Sequence, residues 1–340
     1  MFWPGMSSGA RLRCFQTSVR HENRTRSPKR PGKKTVKMQN AFQGVIPILV
    51  TPFKDDGKVD VAGLLRVVDH LYAHGARSGF GAFGNAGEGY ALLPSEKRRL
   101  LDAVVRHLDG RAPVIVGVGA TGTEAAVETC KEAEGLGAAG LMVLPPYYLR
   151  PDADGLMFFY SAISEAVGIP IMVQDAPLLT QVAMPPALLA RMAREIEHVD
   201  YAKIEAPPTA PKITRTVEAV GGMLTLLGGL NGQFMIEEWQ RGSRGIMPGS
   251  DMVSTYCSIW NALENDNLDS AWSLFQRALP LIRYELQPGL GVSAMKHNLL
   301  HEGVLANAVV RHPTRSLDES GLRELDALRS LVGTNSQPCR

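Results

Sequence analysis

From Gln43 onward, short apolar runs alternate with longer stretches in which apolar residues recur every three or four positions. The short runs predict strands at 45–50, 79–83, 113–118, 140–144, 170–174, 200–204, 224–228 and 244–247. The stretches between them predict helices at about 61–74, 95–108, 123–136, 154–167, 185–196, 209–220, 231–241 and 250–263. Strands that alternate with helices of this length make βαβ units, whose crossover helices force the strands parallel. Eight such units in some 220 residues predict an α/β fold of the closed (β/α)8 TIM-barrel type. The rival is an open doubly wound sheet. A dinucleotide-binding version would carry G-x-G-x-x-G after its first strand, and none stands there. Three further helical stretches, near 267–284, 289–301 and 317–331, predict a C-terminal helical appendage. The expected organisation is a basic tail over 1–38, the barrel over 39–265, and C-terminal helices over 266–340 packed on it.

Local signals mark some boundaries. Pro94-Ser95-Glu96 reads as a helix start with a cap-type residue and an early acid. Thr121 or Thr123 is expected to cap the next helix, with Glu124 in its first turn. Gly135, Gly137 and Gly140 mark its exit.

Charge changes the picture more than composition does. The 340 residues carry a formal charge of only +2. Residues 1–38 hold ten Lys or Arg against one acid, Glu22, so the tail is +9 and residues 39–340 are −7. A nucleic-acid footprint needs clustered basic surface on the folded part, and this body is acidic. The tail reads as a transit-type segment, a nucleic-acid-binding arm, or sequence upstream of a start at Met38. Its proline-rich stretch at 27–32 works against the amphipathic helix of a transit peptide. Cys14, Cys130, Cys257 and Cys339 lie far apart in no metal-site or disulfide pattern, which fits a reducing, cytoplasmic setting. No apolar run approaches the roughly 18 residues of a membrane span. The His70/His74 pair has helical i, i+4 spacing but no third ligand in view. Trp239, Trp260 and Trp272 fall on helical patterns and read as packing residues.

In such a barrel, chemistry sits at the C-terminal ends of the strands. Strand two runs into Gly84-Asn85-Ala86-Gly87-Glu88-Gly89, a tight turn whose backbone N–H groups suit a carboxylate. Strand four runs into Tyr147-Tyr148, strand five ends at Gln174-Asp175, strand seven at Gly228-Gly229 and strand eight at Met247. Lys203 lies late in strand six, where the other residues should be buried. Desolvation there favours the neutral amine, which attacks a ketone to form a Schiff base. The plain alternatives are pairing with an inward carboxylate such as Glu205, or a side chain reaching solvent at the strand end. Asp175 and Glu205 are a candidate carboxylate pair whose facing the pattern leaves open.

These residues, taken in order, resemble the dihydrodipicolinate synthase/N-acetylneuraminate lyase family of class I (Schiff-base) lyases. The carriers are G-V-I-P-I-L-V-T-P-F at 44–53, G-N-A-G-E at 84–88, P-V-I-V-G-V-G at 113–119, L-P-P-Y-Y at 144–148 and Y-A-K-I-E at 201–205. The resemblance covers about Gln43 to Leu331. It implies a barrel with C-terminal helices, a homo-oligomer (tetramer or dimer), no cofactor, and an imine between Lys203 and a 2-oxo acid. It also implies a proton-handling role for Tyr148, with Glu88 or Asp175 as further candidates. Substrate contacts would come from Gly84, Asn85, Ala86, Gln174, Asp175, Gly229 and Met247.

Three departures carry substrate information. Asn85 and Ala86 stand where the family usually has two threonines. Gln174 replaces its strand-five tyrosine, and an amide has no useful acid–base chemistry. Leu179 stands where dihydrodipicolinate synthases usually have an arginine that grips the second substrate's carboxylate. The runs at 171–177, 189–197 and 203–205 resemble the 2-keto-3-deoxy-L-arabonate dehydratase branch. The expected activity is therefore a cofactor-independent lyase, either dehydratase or aldolase, on a 2-keto-3-deoxy sugar acid or similar 2-oxo acid; both outcomes start from the same Lys203 imine. The alternatives are a 4-hydroxy-tetrahydrodipicolinate synthase and an inactive 2-oxo acid sensor.

Overall fold

The computed structural model describes residues 42–332. The readings of the basic tail, of Cys14 and of Cys339 fall outside the described residues. Cys130 and Cys257 are free thiols.

The elements follow in chain order as β1 (Gly44–Val45), α1 (Val61–Ala73), β2 (Phe80–Ala82), α2 (Pro94–Leu108), β3 (Val114–Val118) and α3 (Thr123–Gly135). Then come β4 (Gly140–Val143), α4 (Ala153–Ala166), β5 (Ile171–Asp175), α5 (Pro177–Thr180), α6 (Pro186–Glu195), β6 (Val199–Ile204) and α7 (Thr209–Val220). The barrel ends with β7 (Thr225–Gly228), α8 (Met235–Gln240), β8 (Gly245–Ile246) and α9 (Val253–Glu264). The C-terminal helices are α10 (Leu268–Glu285), α11 (Gly291–His301) and α12 (Glu319–Val332).

All eight strands are parallel, in the order β1-β8-β7-β6-β5-β4-β3-β2. The ring closes through a parallel bridge between Ile48 and Gly81. Leu49 N–H donates to Gly81 O at 2.8 Å, and Gly81 N–H donates to Pro47 O at 2.9 Å. This is the expected (β/α)8 barrel. The first strand is shorter than the apolar run 45–50 predicts, because Pro47 has no N–H to give to a ladder. All eight strands are buried along their length except at Asp200 of β6, which is why most of them read as continuous apolar runs.

Three boundaries differ from expectation. Leu93, not Ser95, precedes α2, and its N–H donates to Glu96 Oε2 at 2.9 Å. Gly122 takes the position before α3 with no side-chain cap from Thr121 or Thr123. Helix α8 starts four residues late, because Asn231 (φ 50°) and Gly232 (φ 76°) turn left-handed and break the run. Trp260 is buried in the core formed by α9 and α10, and Trp239 and Trp272 pack against it. His70 pairs with Glu302 at 3.3 Å, and His74 Nδ1 lies 2.7 Å from His70 O.

The chain after α11 returns to the barrel mouth and is tied there by charge. Lys296 on α11 is fully buried and pairs with the fully buried Glu88 of the glycine turn. It also donates to Val309 O at 2.8 Å and lies 4.3 Å from the Phe53 ring centroid. Burial pushes Lys296 down to about 8, with Glu88 opposing. Arg311 N–H donates to Glu88 Oε1 at 2.8 Å, while its guanidinium forks onto Glu96 at 2.6 and 2.7 Å. These contacts set the left-handed backbone of Glu88 (φ 49°) and the pose of the turn. Lys296→Met leaves Glu88 buried without its cation. It is expected to lower unfolding stability by about 3–5 kcal/mol in urea titration. A loss below about 1 kcal/mol would mean that the pair does not hold the turn.

Candidate active site

Strand register decides which side chains meet inside the barrel. Gln174 of β5, Lys203 of β6 and Leu227 of β7 are mutual partners, so they share the inner face. Asp175 pairs in register with Ile204 and so points the other way. The residue after Ile204 returns inward, and that residue is Glu205.

The three inward polar groups form one cluster. Lys203 is 4% exposed, and its Nζ lies 3.2 Å from Glu205 Oε1. Gln174 Nε2 donates to Glu205 Oε2 at 2.8 Å. Leu230 N–H donates to Glu205 Oε1 at 3.3 Å. A carboxylate is thus held beside the amine by two further donors, an amide taking one oxygen and a backbone N–H the other.

The cluster opens into a cavity of about 320 Å³. Lys203, Glu205, Asn85, Ala86 and Met247 line it near the strand ends. Leu178 and Leu179 of α5, both largely exposed, form an apolar part of its wall. The far wall comes from Asn231, from Glu285 and the chain just after it, and from α11 through Val292 and Met295. Glu285 accepts from Asn231 Nδ2 at 2.7 Å and from Asn298 Nδ2 at 3.0 Å. Burial pushes Glu285 and its neighbour Asp251 up together, and the charge of Asp251 raises Glu285 further.

The glycine turn is self-contained. The N–H groups of Gly87 and Gly89 both donate to Gly84 O, and that of Glu88 to Asn85 O. A β-carbon at Gly89 would collide with the Phe83 carbonyl, so the turn tolerates only glycine there. Asn85 and Ala86 are left facing the cavity.

The remaining sequence candidates lie around the cavity, not in its lining. Gln174 is one step behind, against Glu205. Gly229 packs its α-carbon on the Glu205 side chain. Gly84 abuts Ile48 and Met142. Asp175 is fully buried on the outer face and pairs with Lys212 of α7. The candidate carboxylate pair is therefore split across the sheet, though Glu205 still helps burial raise Asp175. Glu88 is committed to Lys296. Tyr148 is 82% exposed on the loop after β4, beside exposed Tyr147 and Leu149. Two residues gain weight beyond the sequence reading: Glu205, which stands i+2 from Lys203 on the same strand face, and Asn231. Among the described residues, no group of three or more His, Cys, Asp or Glu is placed to hold a metal ion.

A (β/α)8 barrel with a buried lysine late in β6, open to a cavity at the strand ends, is the architecture of a Schiff-base lyase. The chain belongs to the dihydrodipicolinate synthetase family, whose model matches residues 41–330. It is 33% identical over 292 residues to an L-2-keto-3-deoxyarabonate dehydratase of Azospirillum brasilense, spanning 84% of this chain and 93% of that one. It is 32% identical over 245 residues to a 4-hydroxy-tetrahydrodipicolinate synthase of Methanopyrus kandleri, spanning 71% and 81%. Among solved structures, a dihydrodipicolinate synthase of Rhodopseudomonas palustris superposes with a TM-score of 0.80 at 31% identity, covering 86% of this chain and 98% of that one. Another, described as a monomeric dihydrodipicolinate synthase variant, gives 0.81 at 27% identity, covering 88% and 99%. The chain is therefore an enzyme, a class I lyase of this family. None of its helices among the described residues is long and apolar enough to cross a membrane.

Proposed function

We propose that this enzyme dehydrates a 2-keto-3-deoxy sugar acid through an imine on Lys203. The observation that carries the reading is the inward Lys203–Glu205–Gln174 cluster. The Lys203 amine attacks C2 of the 2-oxo acid, and the C2 oxygen leaves as water, giving an iminium. Glu205 takes a proton from C3, and the C3–H electron pair moves into the iminium to give an enamine. The enamine expels the C4 hydroxyl, which leaves as water with the proton from Glu205. That leaves a C3=C4 unsaturated iminium. In a five-carbon substrate a proton lost from C5 and one gained at C3 turn it into the C4=C5 enol, which ketonises to a semialdehyde, and hydrolysis frees Lys203. The substrate carboxylate is assigned to the backbone N–H groups of Asn85 and Ala86.

Two features favour this over dihydrodipicolinate synthesis. Leu179 gives the cavity an apolar wall where a second carboxylate would need a cation. Gln174 removes a phenol from the strand-five position, and Glu205 supplies a titratable group in reach of the same amine. The dehydratase of Azospirillum brasilense points to the same substrate class. A panel of 2-keto-3-deoxy sugar acids, scored separately for semialdehyde and for pyruvate, tests the reading. Semialdehyde without pyruvate supports it. Pyruvate release would make the enzyme an aldolase. Condensation of pyruvate with aspartate semialdehyde, and no action on the panel, would make it a synthase.

We propose with it that the chain self-associates. Tyr147, Tyr148 and Leu149 expose 40%, 82% and 79% of their surfaces side by side, more apolar surface than one loop normally leaves in water. Tyr148→Glu is expected to shift the species seen in sedimentation toward the monomer. An unchanged mass would place the association elsewhere.

A further inference from the structure

Glu238 lies outside the cavity, on α8, and the chemistry just described does not use it. It is nonetheless built into the structure with care. Its side chain is buried, at 2% exposure. Thr209 at the start of α7 donates to Glu238 Oε1 at 2.5 Å. Glu238 Oε2 has no hydrogen-bond partner and is wedged against the α-carbon of Gly228.

The position of that wedge matters. Gly228 and Gly229 are consecutive residues at the end of β7, so their side-chain directions point to opposite faces of the sheet. A β-carbon at Gly228 would collide with Glu238. One at Gly229 would collide with Glu205. The two carboxyl groups thus flank the same bare strand end, Glu205 from the cavity and Glu238 from the helix layer. Each carboxyl group takes up the space a side chain would need at its glycine, and two buried groups so close across one strand end are weakly screened from each other.

We propose that Glu238 is a positioning residue for the reaction: it acts across the Gly228–Gly229 backbone and sets the electrostatic field that Glu205 works in. The inference rests on the assignment of Glu205 above. Burial, with added contributions from Glu205 and from Glu237 on its own helix, pushes Glu238 up to about 7, while the Thr209 hydroxyl opposes. The other charged groups nearby are spoken for. Lys212 of α7 is paired with Asp175, and Arg241 after α8 donates to Thr214 at 3.1 Å. Below about 7 Glu238 is neutral and leaves Glu205 alone. Above it, Glu238 is an anion whose field favours the cationic iminium on Lys203 and the transfer of the C3 proton to Glu205.

Two measurements on the full chain test this. The first is isotope-edited infrared titration of the glutamate carboxyls without substrate. A protonated carboxyl band is expected to disappear near pH 7, to be absent in Glu238→Gln, and to titrate at lower pH in Glu205→Gln. The second is the pH profile of kcat/KM on the sugar acid found by the panel. Wild type is expected to gain roughly five- to tenfold more than Glu238→Gln between pH 6 and pH 8. A Glu238 band that titrates at the same pH with and without Glu205 overturns the coupling. Superimposable profiles for wild type and Glu238→Gln overturn the role in the reaction. Failure of the Glu205 assignment has a different signature: full turnover in Glu205→Gln, whatever the infrared shows.

Discussion

Lys203→Ala folds and turns over no 2-oxo acid: kcat/KM falls by roughly 10^4-fold or more, and borohydride fixes no substrate to the chain. The size follows from the role of the amine. Without it there is no iminium to hold the electrons released at C3, and neither loss of the C4 hydroxyl nor cleavage of C3–C4 has an easy route. The fold should survive, because Glu205 keeps two donors, Gln174 Nε2 at 2.8 Å and Leu230 N–H at 3.3 Å. Thermal unfolding distinguishes a chemical loss from a collapsed barrel. Residual turnover at wild-type rate would mean that the imine forms elsewhere or not at all.

Glu205→Gln is expected to separate imine formation from the steps after it. Glutamine keeps the shape and can still meet Gln174, but it neither takes nor gives a proton. Turnover should fall by about 10^2- to 10^4-fold, the usual worth of a positioned general base. Borohydride trapping on Lys203 should persist. Equal loss of trapping and turnover would show instead that Glu205 serves mainly to steer the amine.

The barrel was legible because its strands are buried on both faces. A parallel strand between two layers of helix reads as an unbroken apolar run, and Phe80–Ala82 or Val114–Val118 can hardly be read otherwise. Lys203 was legible for the same reason, as a charge where the pattern demands none. What failed to show locally depends on contacts between distant residues. The strand register that turns Gln174 inward and Asp175 outward is fixed by pairing with β6. The far wall of the cavity comes from Glu285 to Met295, about ninety residues beyond Lys203 in the chain. Glu238 sits next to Glu237 and looks like an exposed helix acid. Only the packing of α8 on β7 puts one of the two under a glycine. Helix α5 escaped notice because four residues from Pro177 to Thr180 are too few to establish a period.

The central claim is that dehydration runs through an imine on Lys203, and one quench experiment reaches it directly. Enzyme turning over a 2-keto-3-deoxy sugar acid is stopped with borohydride, digested, and the peptide containing Lys203 is weighed. The account predicts Lys203 carrying the substrate skeleton less one water beyond that lost in forming the imine. An unmodified Lys203 under conditions of measured turnover would contradict it.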